Sequence, residues 1–408
     1  VGSVHRGRRG MNVPRRGRAG RVLPVVVALG GALPVARVLT KYGVTVYGSD
    51  FGYSVDRLSR LVSRPPWGYD AGLDDRFLRL LVDFAEQCPV MPVLIPTADA
   101  VIEFVTLHYE VLSAHYHVAS VYAPGQGEAF LAKREFYRLC DQAGIKYPAT
   151  IFGDEGPIAP DEVERVLRFP VIVKPNLIHR WKQTLKGEKV IEVTSAADLR
   201  MVMASYPGLV EDSMLQEVIP GPESKIYLFK ACLDRDGEVL DTFTGRKLRQ
   251  YPPMYGSASL AESVECPEVE ELSLRFFDRI RVHGLGGAEF KWDPRDGEFK
   301  MIEVNMRPQL WEDLIRASGK DMLWVHYCDL IGLPVHKTPL QVNGVRWVHL
   351  TRDVVSALWF MRRRELTVKE WFGGYRRDMV DALMAPADPL TIPGALGYAA
   401  FQFVHYKL

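Results

Sequence analysis

The stretch Gly287 to Pro308 reads GAEFKWDPRDGEFKMIEVNMRP. At its centre, Asp293, Pro294, Arg295, Asp296 and Gly297 meet the needs of a tight turn, because proline presets φ for an early turn position and glycine takes positive φ without a Cβ clash. Two strands therefore pair, and the rest of the chain has to build a sheet around them. The second of these, from Phe299 to Val304, reads as buried, yet it brings Glu303, Asn305 and Arg307 to one face at alternate positions; Glu289 and Lys291 share a face of the first. If pairing brings those faces together, two carboxylates and an amide carbonyl converge. Such hard oxygen donors suit magnesium, which keeps its other positions for water and substrate phosphates. A guanidinium on the same face can hold a phosphate or carboxylate through two parallel hydrogen bonds. The plainer alternative for an isolated ExN is a solvated sheet face.

Elsewhere the chain opens as strand VVVAL, glycine turn Gly30–Gly31, helix Leu33 to Tyr42 and strand VTVYGSD, the start of a doubly wound α/β unit. A further apolar strand, PVLIP, leads through Asp99 into a helical pattern from Val101 to Ala114. YAPGQG at 122–127 reads as a linker. Beyond it come helix AFLAKREFYRLCDQAG closed by Gly144, strand PVIVK, helix Ala196 to Ser205 and strand Met214 to Ile219. Strands near 225–233 and 238–244 follow, joined by a hairpin signal at Asp234 to Gly237. A helix from Val269 to His283 precedes the opening hairpin. Lys174 ends the apolar run PVIVK, where an unpaired ammonium is costly to bury, so it is expected to face an anion. Arg246, Lys247 and Arg249, in TGRKLRQYPP, form a basic cluster after a strand, and His115 with His117 lacks a third metal ligand nearby.

Taken together, these pieces resemble the ATP-grasp superfamily over about residues 22 to 335. The resemblance rests on Lys133 in LAKREF, Lys174 in PVIVKP, the hinge LQEVIPGPE, and the hairpin AEFKWD with IEVNMRP. Within the superfamily, the hairpin and TGRKLRQYPP look most like the carboxylate–amine ligases, D-aspartate ligases among them. The resemblance implies a multidomain α/β and α+β fold, with a Rossmann-like domain at 21–125 preceding an ATP-grasp domain at 126–335. Residues 1–20 would be a disordered basic leader and 336–408 a helical, aromatic extension.

Carried over residue by residue, it implies that Lys133 and Lys174 contact the ATP phosphates, that Gln216, Glu217 and Val218 line the adenine through backbone groups, and that Glu223 takes the ribose hydroxyls. Glu289, Glu303 and Asn305 would hold Mg2+ (or Mn2+), and Arg307 would face the transferred phosphoryl group or the acceptor carboxylate. Arg246 or Lys247 would contact substrate carboxylate or phosphate, with Arg249 beside them. Gly30 and Gly31, ahead of a helix N-terminus, would lie near the acceptor substrate. One departure stands out. The segment IHRWKQTLKGEKV holds only Gly187 where the family commonly has a glycine-rich phosphate loop, so Arg180, Lys182, Lys186 and Lys189 are candidates for that task.

The implied activity is an ATP- and magnesium-dependent ligase that activates a small-molecule carboxylate as an acyl phosphate and joins it to an amine. Two rivals within the fold are a carboxylase using bicarbonate and a non-catalytic nucleotide-binding protein. A dinucleotide-binding protein is a poorer match, because ALGGALPVA lacks GxGxxG. Net charge is +1, but the first twenty-one residues hold seven arginines and no acid, so subtracting seven leaves the remainder at −6. That mild acidity argues against a nucleic-acid-binding surface. Five cysteines without CxxC spacing point to a reducing, cytoplasmic setting, and no apolar run of about eighteen residues suggests a membrane span.

Overall fold

A computed structural model describes residues 22–49, 54–68, 72–127, 130, 132–156, 158–176, 181, 184–185, 190–336, 338–376 and 378–405. The first sheet is parallel and four-stranded, ordered β3-β2-β1-β4, from β1 (Val26–Leu29), β2 (Val46–Ser49), β3 (Val62–Ser63) and β4 (Val93–Pro96). Strands β1, β2 and β4 are buried along their whole lengths, the pattern of a parallel sheet covered on both faces. Its helices are α1 (Leu33–Leu39), α2 (Asp75–Gln87), α3 (Asp99–Leu107) and α4 (Tyr109–His115). The helix expected over 101–114 is broken at His108, whose φ of −110° and ψ of 22° leave the helical range.

The second sheet is antiparallel, ordered β5-β8-β6-β7, from β5 (Thr150–Phe152), β6 (Val171–Pro175), β7 (Ile191–Val193) and β8 (Ser213–Glu217). It carries α6 (Pro160–Val166) and α7 (Ala196–Ser205), whereas the preceding helix α5 (Lys133–Ala143) buries Phe136, Tyr137 and Cys140 in the main core. Gly144 closes α5 in the left-handed conformation at φ +63°. Val163, Val171, Val173, Leu199 and Leu215 form a core of their own, separate from the main one. This lobe is thus a distinct packing unit set against the larger body.

The largest sheet has the order β13-β12-β9-β10-β11-β14-β15. Its strands are β9 (Ile226–Leu233), β10 (Val239–Tyr251), β11 (Ser257–Ser263), β12 (Gly284–Asp293), β13 (Glu298–Asn305), β14 (Arg346–Val348) and β15 (Val380–Asp381). The β12–β13 turn closes as expected, with Gly297 at φ +73° donating to the Asp293 carbonyl at 2.9 Å. Helix α8 (Pro267–Ile280) presses Phe277 onto Gly286, where a Cβ would stand 2.5 Å from the ring. Two short helices follow, α9 (Glu312–Ala317) and α10 (Met322–Leu330). The main core runs from β1 through β9, β12 and α10, so the first and largest sheets share one interior.

Beyond residue 336 the chain adds β14 beside β11, then α11 (Leu350–Arg362), α12 (Val368–Gly373), β15 and α13 (Thr391–His405). Buried ionic contacts fasten this part. Arg249 grips Asp353 of α11 through Nε and Nη2 at 2.8 and 2.9 Å. Arg37 of α1 reaches Asp313 at 2.6 Å and the carbonyls of Ala382 and Leu383 at 2.9 and 2.8 Å. Among the described residues no helix is long and apolar enough to cross a membrane.

Candidate active site

A cavity of about 420 Å³ opens between the small lobe and the largest sheet, with one wall from the N-terminal region. The small lobe contributes Lys174 from the end of β6 and Gln216 to Ile219 at the end of β8, and α5 adds Lys133 from its first turn. From the opposite side come Lys247 and Gln250 of β10, Glu289 and Lys291 of β12, and Glu303, Asn305 and Arg307 in and after β13. Asp99, Glu103 and Tyr122 complete the N-terminal wall.

Strand register explains the convergence. Glu289 stands opposite Glu303, and Asn305 opposite Gly287, with a bulge after Glu289 that lets Phe290 pair with Met301 in the core. The bulge keeps both carboxylates on the cavity side while the apolar residues between them stay inside. Two carboxylates and an amide, all hard oxygen donors, thus face one space, a set that fits magnesium. No group of three or more His, Cys, Asp or Glu suited to a metal occurs among the described residues, so the fit depends on Asn305 as third donor.

Cations flank these oxygens. The Lys247 ammonium donates to Glu289 at 2.6 Å and to the Gln250 side chain at 3.2 Å. Burial pushes the Lys291 ammonium below its ordinary range, with Glu223 and Asp293 partly restoring it. Arg307 donates to Asp99 at 2.6 Å and so links the β13 end to the start of α3. At the far end, Gln216 is buried and donates to the Tyr137 hydroxyl at 2.6 Å and to Thr150 at 2.8 Å. Glu217 is held by Arg295 at 2.8 Å.

Ten of the residues singled out from the sequence therefore share the cavity: Lys133, Lys174, Gln216, Glu217, Val218, Lys247, Glu289, Glu303, Asn305 and Arg307. Lys182 and Lys186, with Arg180 and Lys189, lie outside the described residues. Five others are placed differently. Arg246 points away from Lys247 because they are neighbours on a strand, and it pairs with Glu262 at 2.6 Å. Arg249 is consumed by Asp353. Glu223 is buried behind the wall, where its carboxylate accepts from the backbone N–H of Gln250 at 2.8 Å and of Met254 at 2.6 Å, and burial raises its pKa. It braces the 250–254 turn and is not among the residues that line the cavity.

Gly30 and Gly31 do not present the N-terminus of α1 to a ligand. The Gly31 N–H donates to Thr97 Oγ1 at 2.6 Å, and Asp56 Oδ2 accepts from Ala32 and Leu33, so the protein supplies its own anion there. At the hinge, the N–H groups of Glu217 and Val218 are taken by the carbonyls of Ala149 at 2.9 Å and Pro170 at 3.0 Å. Sequence reasoning missed Lys291 as a site residue, although its spacing of two from Glu289 signals the shared face. Gln250 and Tyr255, also at the wall, carry no such signal.

No family model matches this chain. A D-aspartate ligase from Enterococcus faecium (strain Aus0004) is 27% identical over 269 residues, and the match spans 63% of this chain and 63% of that relative's length. Among solved structures, an ADP complex of N5-carboxyaminoimidazole ribonucleotide synthetase aligns over 95% of this chain and 98% of its own, with TM-score 0.60 and 14% identity. The same enzyme from Thermus thermophilus gives TM-score 0.58 and 16% identity over 79% of this chain and 81% of its own. The biotin carboxylase domain of Hydrogenobacter thermophilus 2-oxoglutarate carboxylase gives 0.59 and 15% over 80% and 74%. This chain has the ATP-grasp fold, and its sequence is similar to that of a D-aspartate ligase.

Proposed function

We propose that the protein is an ATP- and magnesium-dependent carboxylate–amine ligase. The observation that carries this is the pairing of Glu289 with Glu303 across β12 and β13, beside Asn305 and Arg307, in a cavity that also holds Lys133, Lys174, Lys247 and Lys291. Sequence similarity to D-aspartate ligase supports amide formation in particular. In this reading Lys133 and Lys174 meet the ATP phosphates, with Lys291 as a third cation. Glu289, Glu303 and Asn305 would hold the magnesium, which when bound neutralises phosphate charge.

A substrate carboxylate oxygen attacks the γ-phosphorus of ATP, and ADP leaves. The amine nitrogen then attacks the acyl carbon of the resulting acyl phosphate, inorganic phosphate leaves, and the nitrogen loses a proton to give the amide. Arg307 and Lys247 lie where fixed cations can meet the developing charge of phosphoryl transfer without reorganising. An acyl phosphate hydrolyses in water, so this reading requires water to be excluded from the cavity while the intermediate is present. In this reading the four-stranded parallel sheet of residues 21–125 is the Rossmann-like preceding domain, 126–335 is the ATP-grasp domain and 336–408 an extension. Free cysteines throughout support a reducing, cytoplasmic setting.

A second reading, ATP-dependent carboxylation with bicarbonate, draws support from the likeness to carboxylase folds, one of them solved with bicarbonate. Hydroxylamine trapping separates the two. With ATP, magnesium and a panel of amino acids, peptides and other carboxylates, the ligase releases ADP and forms a hydroxamate of one carboxylate. ADP release that depends on bicarbonate, with no hydroxamate, would assign the carboxylase; neither product would assign a nucleotide-binding protein without turnover.

A further inference from the structure

Lys230 is a lysine where the fold has no evident need of one. It sits in the middle of β9 with its side chain 0% exposed, next to Glu312 at 1%. Burying such a pair seldom adds stability over apolar side chains of the same volume, because the desolvation cost rivals the attraction. Its contacts give it another use. The ammonium donates to the backbone carbonyl of Arg307 at 2.5 Å and lies 3.1 Å from Glu312 Oε1, and that same oxygen accepts the N–H of Gln309 at 2.8 Å. The two side chains therefore tie down both ends of the turn that leaves β13.

That turn is seated closely. Lys230 lies opposite Gly287 in the sheet, and the Gln309 side chain occupies the space beside that glycine, 2.6 Å from where a Cβ would be. The Arg307 side chain reaches the cavity from one end of the turn. Displacement of a charged group by about 1 Å can cost on the order of 100-fold in rate.

We infer that Lys230, through Glu312, is a positioning residue that holds Arg307 at the cavity wall. The inference rests on the role given to Arg307 above. The test is the paired variant Lys230→Met/Glu312→Gln, which removes both buried charges together. Its kcat should fall about 10- to 100-fold while the KM for ATP stays within about threefold, with no loss of thermal stability. In an Arg307→Met background the same pair should cause no further fall, since residues acting through one another are not additive. A paired variant with kcat within about twofold of the parent, or with a full additive loss in the Arg307→Met background, overturns the inference.

Should the paired variant fail to fold, Lys230→Gln/Glu312→Gln, which leaves no buried charge unpaired, carries the test, with a kcat loss of about 3- to 10-fold expected at unchanged ATP KM and none contradicting it. Binding of magnesium–ADP to the parent, followed by calorimetry, separates the two levels of the argument. Absence of that binding sinks the ligase reading and the inference with it. Binding together with normal kcat in the paired variant sinks the inference alone.

Discussion

The glycine turn at Gly30–Gly31 and the hairpin of β12 and β13 both suggest ligand sites from sequence, and the fold treats them in opposite ways. At the turn, Asp56 and Thr97 come from elsewhere in the chain and occupy the backbone donors that a ligand would use. At the hairpin, the polar face borders a cavity of about 420 Å³. Local sequence reveals which groups share a face or a helix end. Whether the protein itself fills that position depends on residues far away in the chain.

Four substitutions test that contrast. Arg249 belongs with the groups used internally, so Arg249→Met should cost about 3–5 kcal/mol of stability by leaving the buried Asp353 without its bidentate partner. Denaturant midpoints would report this, while the KM for ATP, measured well below the transition, stays unchanged; a raised KM with normal stability would move Arg249 into the site. Glu303 faces the cavity, and Glu303→Gln should lower kcat by about 100- to 1,000-fold, by analogy with removal of one group that stabilises developing charge. Its far-UV circular dichroism and melting temperature should match the parent, and full activity would remove the metal face from the account.

Lys291→Met is expected to reduce kcat/KM for ATP by about 10- to 100-fold, the worth of one charge-assisted hydrogen bond. The sign of the pH effect follows from its lowered pKa. Only the protonated ammonium attracts phosphate, so ATP affinity in the parent should weaken as pH rises through a value below the ordinary 10.5 of lysine. That alkaline limb should be missing in Lys291→Met, and its persistence would assign it to another group. The smallest effect belongs to Asp56→Ala, about 1 kcal/mol of stability from loss of the anion at the start of α1. A large change in substrate KM instead would return the glycine turn to the site.

The same contrast explains what was legible in the sequence. Alternation along Phe299 to Asn305 was enough to place Glu303 and Asn305 together, and the turn residues at 293–297 to pair the two strands, but the bulge that sets Glu289 opposite Glu303 leaves no sign in the sequence. Strand β10 was harder to read, because it runs on through Gly245 to Tyr251, where charged residues obscure the apolar pattern. Arg246, Lys247 and Arg249 look like an exposed cluster. They are accommodated by Glu262, Glu289 and Asp353, acids that lie 16, 42 and 104 positions away. Nothing near Glu223 in the sequence shows that the 250–254 turn takes up its carboxylate. Strands β14 and β15 span three and two residues, too short for any period to show.

The central claim is that the face built from Glu289, Glu303 and Asn305 holds magnesium against a bound nucleotide. Calorimetric titration of ADP into the parent protein and into Glu303→Gln, each with and without magnesium, tests it most directly. The account predicts tighter ADP binding with magnesium in the parent and loss of that gain, with metal-free binding retained, in the variant. An equal magnesium-dependent gain in both proteins, or no ADP binding to the parent, would contradict it.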